Sequence, residues 1–275
     1  MIGTVVPSFD ERYSLNLLRH ISHYTNSTTA IEHILYTGKL RLGPIVNTDD
    51  PLERIKAVME FDLNLDFQST RVDDLAAFGI GLKEKIRSTK IGCFVANRKF
   101  NPKQDELAFN RGYFKTRMWS QYGGGNRGIC LVFDKPKLLA AVMSQAMEDS
   151  RDVQVFSGSV HYTNAAIRQK GFYQLYEKDL AMSQKQFFRK YEKLFFRTKL
   201  LDYRDEQEFR IIVVNSPSDS EYIYVDILSS LVGIVVGTDF HPQYFKLIHS
   251  FLTKYPGISA SRLDWKDGYP RFVDL

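Results

Sequence analysis

The stretch ISHYTNSTTAIEHILYTGKLRLG, residues 21–43, changes its period twice. In an extended segment side chains alternate, so His23 and Thr25 share one face and Tyr24 takes the other. From Thr29 the spacing becomes helical. Thr29 and Glu32 stand at capping-box distance, Ile31, Ile34 and Leu35 form an apolar stripe, and Gly38 supplies a stop. Leu40 and Leu42 then resume the alternation. The stretch reads as strand, helix, strand, with His23 and Thr25 presented together where the first strand ends.

Working outward, residues 52–87 carry helical periodicity and IGCFVAN, 91–97, reads as a strand closed by a loop. DELAFNRGYFKTRMWSQY, 105–122, is expected to be helical. GGGN, 123–126, stops it, and GICLVFD, 128–134, follows as a buried strand. KPKLLAAVMSQAM, 135–147, is an amphipathic helix, VFSGSVHYT, 155–163, a strand, and a basic helix or helix pair covers about 172–200. EFRIIVVN, 208–215, YIYVDI, 222–227, and LVGIVVG, 231–237, read as strands, followed by a helix over PQYFKLIHSFLTKY. Strands and helices interleave without a βαβ rhythm, which predicts an α+β fold rather than a doubly wound sheet. No Pro-, Gly- or Ser-rich linker divides the chain, so one domain over 1–275 is expected.

With 275 residues, 44% hydrophobic and 25% charged, the chain can bury a large core and is not expected to be disordered. No apolar run approaches the roughly 20 residues that cross a bilayer. The segment MIGTVVPSFDERYS lacks the pattern of a secretory signal. Cys93 and Cys130 lie in apolar runs without CxxC or paired histidines, which points to a reducing cytoplasm and to no zinc site. The formal charge of +5 is concentrated: residues 168–204 hold ten Lys or Arg against four acids. Such a stripe attracts polyanions such as nucleic acid, or forms the solvated face of an amphipathic helix.

Three short stretches can carry chemistry. In DYRDEQEFRIIVVN, 202–215, a strand beginning near Glu206 would put Glu206, Glu208 and Arg210 on one face and Phe209 and Ile211 on the other. Two carboxylates and a guanidinium on an apolar strand are costly unless paired or useful. In RMWSQYGGGNRGICLVFD, 117–134, Trp119 and Tyr122 are helical neighbours, and the glycines turn the chain or admit a ligand to the backbone. In NTDDPLE, 47–53, Asp50 and Pro51 make a good helix start. The sequence contains no Walker loop, no G-x-G-x-x-G, no G-x-S-x-G and no H-E-x-x-H.

Taken together, these pieces resemble a widespread bacterial family known only as a domain of unknown function, the DUF2971 group. They are H-Y-T before a helix ending I-L-x-x-G-x-L, then D-P-x-E, W-S-x-Y followed by G-x-C-L-x-F-D, Lys199 ahead of E-x-E-x-R, and a late V-x-G. The resemblance runs from about residue 20 to about 252, and it departs from the usual Asn-Asp-Pro at Asp49-Asp50-Pro51. That family in turn looks like a distant relative of the ADP-ribosyltransferase fold, which implies a mixed, largely antiparallel, split β-sheet flanked by helices. It also implies NAD as substrate, Glu208 as catalytic glutamate with Glu206 as first acid of the pair, and His23 and Thr25 at a ribose.

Cleaving the nicotinamide–ribose bond develops positive charge on the sugar, which a fixed carboxylate would stabilise. Tyr24 or Trp119 would stack on nicotinamide, and Arg41 or Arg127 would meet the pyrophosphate; each has core packing or a solvated surface as its competing reading. Asp50, Tyr122 and Arg210 complete the expected cofactor-binding set. The leading expectation is an NAD-dependent ADP-ribosyltransferase or NAD glycohydrolase acting on a macromolecule, nucleic acid included, as a toxin or defence effector. The alternatives are a non-catalytic nucleic-acid-binding module using the 168–204 stripe, and a magnesium-dependent nuclease or hydrolase using Asp49, Asp50, Glu206 and Glu208.

Overall fold

The computed structural model describes residues 17–48, 50, 61–63, 72–97, 110–149, 153–164, 173–175, 182–214 and 221–275. Its strands, in chain order, begin with β1 (His20–Thr25), β2 (Lys39–Pro44), β3 (Phe61–Leu63), β4 (Lys90–Ala96), β5 (Ile129–Asp134), β6 (Gln154–Ser159) and β7 (His161–Tyr162). They continue with β8 (Tyr173–Leu175), β9 (Thr198–Lys199), β10 (Glu208–Val214), β11 (Ile223–Asp226), β12 (Leu231–Val236), β13 (Ser259–Lys266) and β14 (Tyr269–Asp274). The α-helices are α1 (Val72–Ser88), α2 (Thr116–Gln121), α3 (Lys135–Asp149), α4 (Gln184–Phe196) and α5 (Phe245–Lys254), joined by a π-type helix over Thr29–Leu35. This is an α+β protein. Among the described residues no helix is long and apolar enough to cross a membrane.

A ten-stranded sheet runs β11-β2-β4-β1-β5-β12-β13-β14, and β10 and β6 branch from it on β4. All its pairings are antiparallel except β12 with β13. The branch is the feature that builds the site. One edge of β4 is filled by β10, from Val95 opposite Glu208 to Lys90 opposite Val213. The other edge is shared: β2 takes Lys90 and Ile91, while β1 takes Val95 and Ala96. Between those two footholds β1 leaves β4 and stays with β5 from His20 to Thr25.

Alternation along β10 sorts the core. Phe209, Ile211 and Val213 join Ile21, Phe94 and Phe133 in a cluster covered by α3, α5 and the π-type helix. Ile212 and Val214 face the opposite way, into α1 and α4. A third cluster on that second side gathers Tyr24, Val95, Trp119, Cys130 and Val132. Every residue of β5 and β10 is buried, as expected for strands covered on both faces.

Several sequence expectations need correction. The helix after β1 is not capped by a Thr29–Glu32 box; Asn26 Oδ1 accepts from the Thr29 backbone at 2.8 Å instead. Gly38 does end this helix's turn, with φ of 68°. The helix expected over 105–122 forms only at Thr116–Gln121 among the described residues. The Tyr24 hydroxyl takes the Gly112 carbonyl (2.7 Å) and the Lys115 amide (3.1 Å), backbone groups that a helix would have used. The strand expected over 155–163 breaks at Val160, where the chain leaves β10 and His161–Tyr162 pairs with β9. Within the helical expectation for 52–87, Phe61–Leu63 is a strand and Val72–Ser88 is helix; residues 51–60 and 64–71 lie outside the described residues. The basic helix begins at Gln184, fixed by a Ser183–Gln186 capping box, and Tyr173–Leu175 is a strand. The β13–β14 hairpin, to which the sequence reading assigns no element, turns at Asp267 and Gly268, with φ of 54° and 82°.

Gly128 fixes the start of β5 against β1. A Cβ there would lie 2.2 Å from the Thr25 carbonyl oxygen and 2.8 Å from the Gly123 backbone, neither of which can yield. Gly128→Ala is expected to cost about 2 kcal/mol or more in urea unfolding. Gly257→Ala, with nothing within 4 Å of its Cβ, should be close to neutral. Equal midpoints for the two variants would contradict this packing.

Candidate active site

The row Ser22–Val95–Glu208 crosses three strands, so these side chains face the same side of the sheet. Arg210, two residues along β10, is on that side too. Glu206 arrives differently from the sequence expectation. It ends the 3-10 turn Leu201–Glu206, and Gln207, in the left-handed region at φ 49°, swings the chain before β10 begins. Glu206 therefore approaches the site from outside the sheet. Lys199 comes from β9, held parallel to β7, whose Tyr162 hydroxyl accepts from the Glu208 backbone amide at 2.8 Å.

These elements converge on a buried ionic network. Glu208 Oε1 accepts from Arg210 Nε (2.7 Å) and its Oε2 from Arg210 Nη2 (3.0 Å), a two-pronged pair. Lys199 Nζ stands 3.0 Å from both Glu206 Oε2 and Glu208 Oε2, bridging the acids. Tyr122 donates its hydroxyl to Glu206 Oε1 (2.9 Å), and Arg210 Nη1 donates to the Phe196 carbonyl (2.7 Å). All four charged side chains are buried. Removing such charges from water costs several kcal/mol each, and only this dense mutual pairing offsets it.

The electrostatics decide which chemistry is open. Burial alone would raise the Glu208 carboxyl, but the Arg210 guanidinium and the Lys199 ammonium outweigh it and lower the group to about 2. Glu208 is thus a permanent anion at neutral pH and not a proton donor. Burial, then the Glu206 charge, pushes the Tyr122 phenol up, so it stays a donor. His23 donates from Nδ1 to the Cys93 carbonyl (2.9 Å), on the stretch of β4 between its two edge partners. Burial lowers the imidazole against the opposing pull of that hydrogen bond. His23 is therefore neutral near pH 7, with Nε2 left as an acceptor.

His23 and Glu208 line one cavity of about 250 Å³, together with Asp50, Tyr122, Arg210 and Lys199. Tyr24 also borders it, but its hydroxyl is held by Gly112 and Lys115 and its ring meets Trp119 edge-on at 5.0 Å. The other expected residues lie elsewhere or outside the described residues. Trp119 is core, its Nε1 donating to the Tyr113 carbonyl, and it does not border the cavity. Thr25 is buried outside the lining. Arg41 lies over the Tyr222 ring at 4.3 Å, and Arg127 is exposed in the glycine turn; neither reaches the cavity. Asp49 is outside the described residues, and among those described no group of three His, Cys, Asp or Glu could hold a metal.

The sequence reading did not count Lys199, Tyr203 or Gln121 as site residues, although all three line the cavity. Lys199 is buried among Phe195, Phe196 and Thr198, but in the sequence it stands in a basic stretch and carries no signal that sets it apart. On the basic helix α4, Phe187, Phe188, Phe195 and Phe196 face inward while Lys185, Arg189, Lys190 and Lys193 are exposed. Arg168, Lys170 and Lys178 lie outside the described residues.

A carboxyl depressed from 4.5 to about 2 contributes stability that is present above 4.5 and lost as pH falls toward 2. Glu208→Gln should therefore be less stable than wild type at pH 7, by on the order of 3 kcal/mol. The two denaturation curves should converge as pH falls from 4.5 toward 2. A gap that is constant across that window would contradict the ionic clamp.

Residues 118–211 match the family model described as "Protein of unknown function (DUF2971)", a span that holds Tyr122, Lys199, Glu206, Glu208 and Arg210 but not β1. No match was found among curated proteins or among solved structures.

Proposed function

We propose that this protein cleaves the nicotinamide–ribose bond of NAD and passes ADP-ribose to a macromolecule or to water. The observation that carries the reading is a permanently ionised Glu208 bordering the same cavity as a neutral His23. Breaking this bond creates an oxocarbenium-like sugar, and a carboxylate already oriented by its surroundings stabilises that charge without reorganising. General-acid help is not required, since nicotinamide leaves as a neutral molecule. That suits an acid which cannot carry a proton at neutral pH. Lys199 and Arg210 hold the carboxylate in place, Tyr122 orients Glu206, and His23 Nε2 is an acceptor for a ribose hydroxyl.

The opening between β1 and β4 is compatible with the split sheet that the ADP-ribosyltransferase resemblance implies. The exposed basic face of α4 belongs to the helix that leads into Lys199. It offers an approach surface for an acidic acceptor, nucleic acid among them, in a cytoplasmic toxin or defence effector. A non-catalytic nucleic-acid-binding module would use the same face and leave the cavity idle. The magnesium alternative is less well supported, because the Glu206 and Glu208 oxygens already accept from Tyr122, Lys199 and Arg210.

Purified protein incubated with NAD is expected to release nicotinamide. Glu208→Gln should lower kcat by about 100-fold or more, the range seen when one transition-state charge stabiliser is lost. Tyr122→Phe, which keeps the ring, should lower it less. Each variant is assayed well below its own melting temperature. Absence of nicotinamide release, with NAD also failing to raise the melting temperature, would sink the reading.

A further inference from the structure

The ion pair between Lys199 and Glu208 joins two strands that, among the described residues, do not pair with each other. Lys199 rides on β9, which pairs with β7, and Glu208 on β10, which pairs with β4 and β6. The flexible four-carbon stem of a lysine sets no distance by itself, so the backbone must bring the two strands into register. The segment from Val160 to Thr163 does this by alternating. Val160 N donates to the Glu208 carbonyl at 2.8 Å. His161 N donates to the Arg197 carbonyl at 2.7 Å, and Thr163 N to the Lys199 carbonyl at 3.0 Å.

Tyr162 completes the alternation with its side chain. In a continued antiparallel ladder the Val160 carbonyl would also accept from the Glu208 amide. Here that amide donates to the Tyr162 hydroxyl at 2.8 Å. A phenol thus stands in for a ladder carbonyl, so the chain can leave β10 and take hold of β9 while the Glu208 amide stays paired. Residues 160 and 162 hold Glu208, and residues 161 and 163 hold the segment that carries Lys199. Burial pushes the Tyr162 phenol up, so its oxygen remains a hydroxyl at neutral pH. Tyr162 does not border the cavity, and any effect it has on chemistry there passes through Glu208.

We infer that Tyr162 is a positioning residue: through the Glu208 amide it sets how far the carboxylate stands from the Lys199 ammonium. Its kinetic consequence rests on the NAD-cleaving reading; its electrostatic consequence does not. Without the hydroxyl, the Glu208 amide becomes a buried donor that has lost its acceptor, and the start of β10 must shift to find another. The carboxylate then drifts from Lys199 and from the place where charge develops on the sugar. A misplacement of about 1 Å is enough to slow a reaction markedly.

Tyr162→Phe in the full chain keeps the ring and removes the acceptor. In this variant the Glu208 carboxyl midpoint, followed by NMR, is expected to rise from about 2 to about 3 or above as the hold of Lys199 loosens. With NAD, kcat for nicotinamide release should fall about ten-fold or more while KM stays nearly unchanged. Tyr162→3-fluorotyrosine, whose oxygen is a weaker acceptor, is the milder second variant and should move the midpoint the same way by less. A lower melting temperature with midpoint and kcat both unmoved would make Tyr162 a purely structural residue and overturn the inference. A midpoint that rises in a protein releasing no nicotinamide supports the inference and defeats the catalytic reading. Release that continues with the midpoint unmoved in both variants does the reverse.

Discussion

The site depends on one interaction: a carboxylate on β10 gripped from one side by Arg210 and from the other by Lys199. Neither cation alone accounts for it. With Arg210 only, Glu206 would be left as a second buried anion held by a phenol; with Lys199 only, Glu208 would lose its orienting fork. Two acids and two bases close into a set with no net charge, which is what allows four ionised side chains to sit in a protein interior. The same closure holds Glu208 ionised at neutral pH.

The sheet supplies the space in front of that carboxylate. β4 carries β10 along one edge and, among the described residues, leaves the middle of its other edge to no strand, because β1 follows β5 and β2 follows β11. On that stretch the Cys93 carbonyl accepts from His23 Nδ1. His23 is thereby fixed in tautomer and orientation at the border of the cavity.

Much of the fold was legible. Strands such as Ile129–Asp134 and Glu208–Val214 are continuous apolar runs, and Gly38 and the glycines at 123–125 mark stops that the chain obeys. Glu208 and Arg210 announce themselves as charges on an apolar strand. Illegible were features decided by distant contacts. Residues 110–115 have helical composition, yet Tyr24 claims their backbone groups from across the core. Lys199 lies in a basic stretch and looks like one more solvated cation until β7 and β9 pair. Arg41 and Trp119 have suitable chemistry, but Tyr222 and Tyr113 hold them elsewhere. The Asp267-Gly268 turn was a readable signal, because that dipeptide favours two-residue hairpins.

The most direct measurement follows the carboxyl carbon of Glu208 by NMR in protein labelled at glutamate side chains, titrated from neutral pH into acid. A carboxylate clamped by two cations should keep the chemical shift of its ionised form down to about pH 3, with a midpoint near 2. A midpoint at or above the ordinary 4.5 would mean that Glu208 is an acid free to take up a proton. The clamp, and the charge-stabilising role assigned to it, would then be wrong.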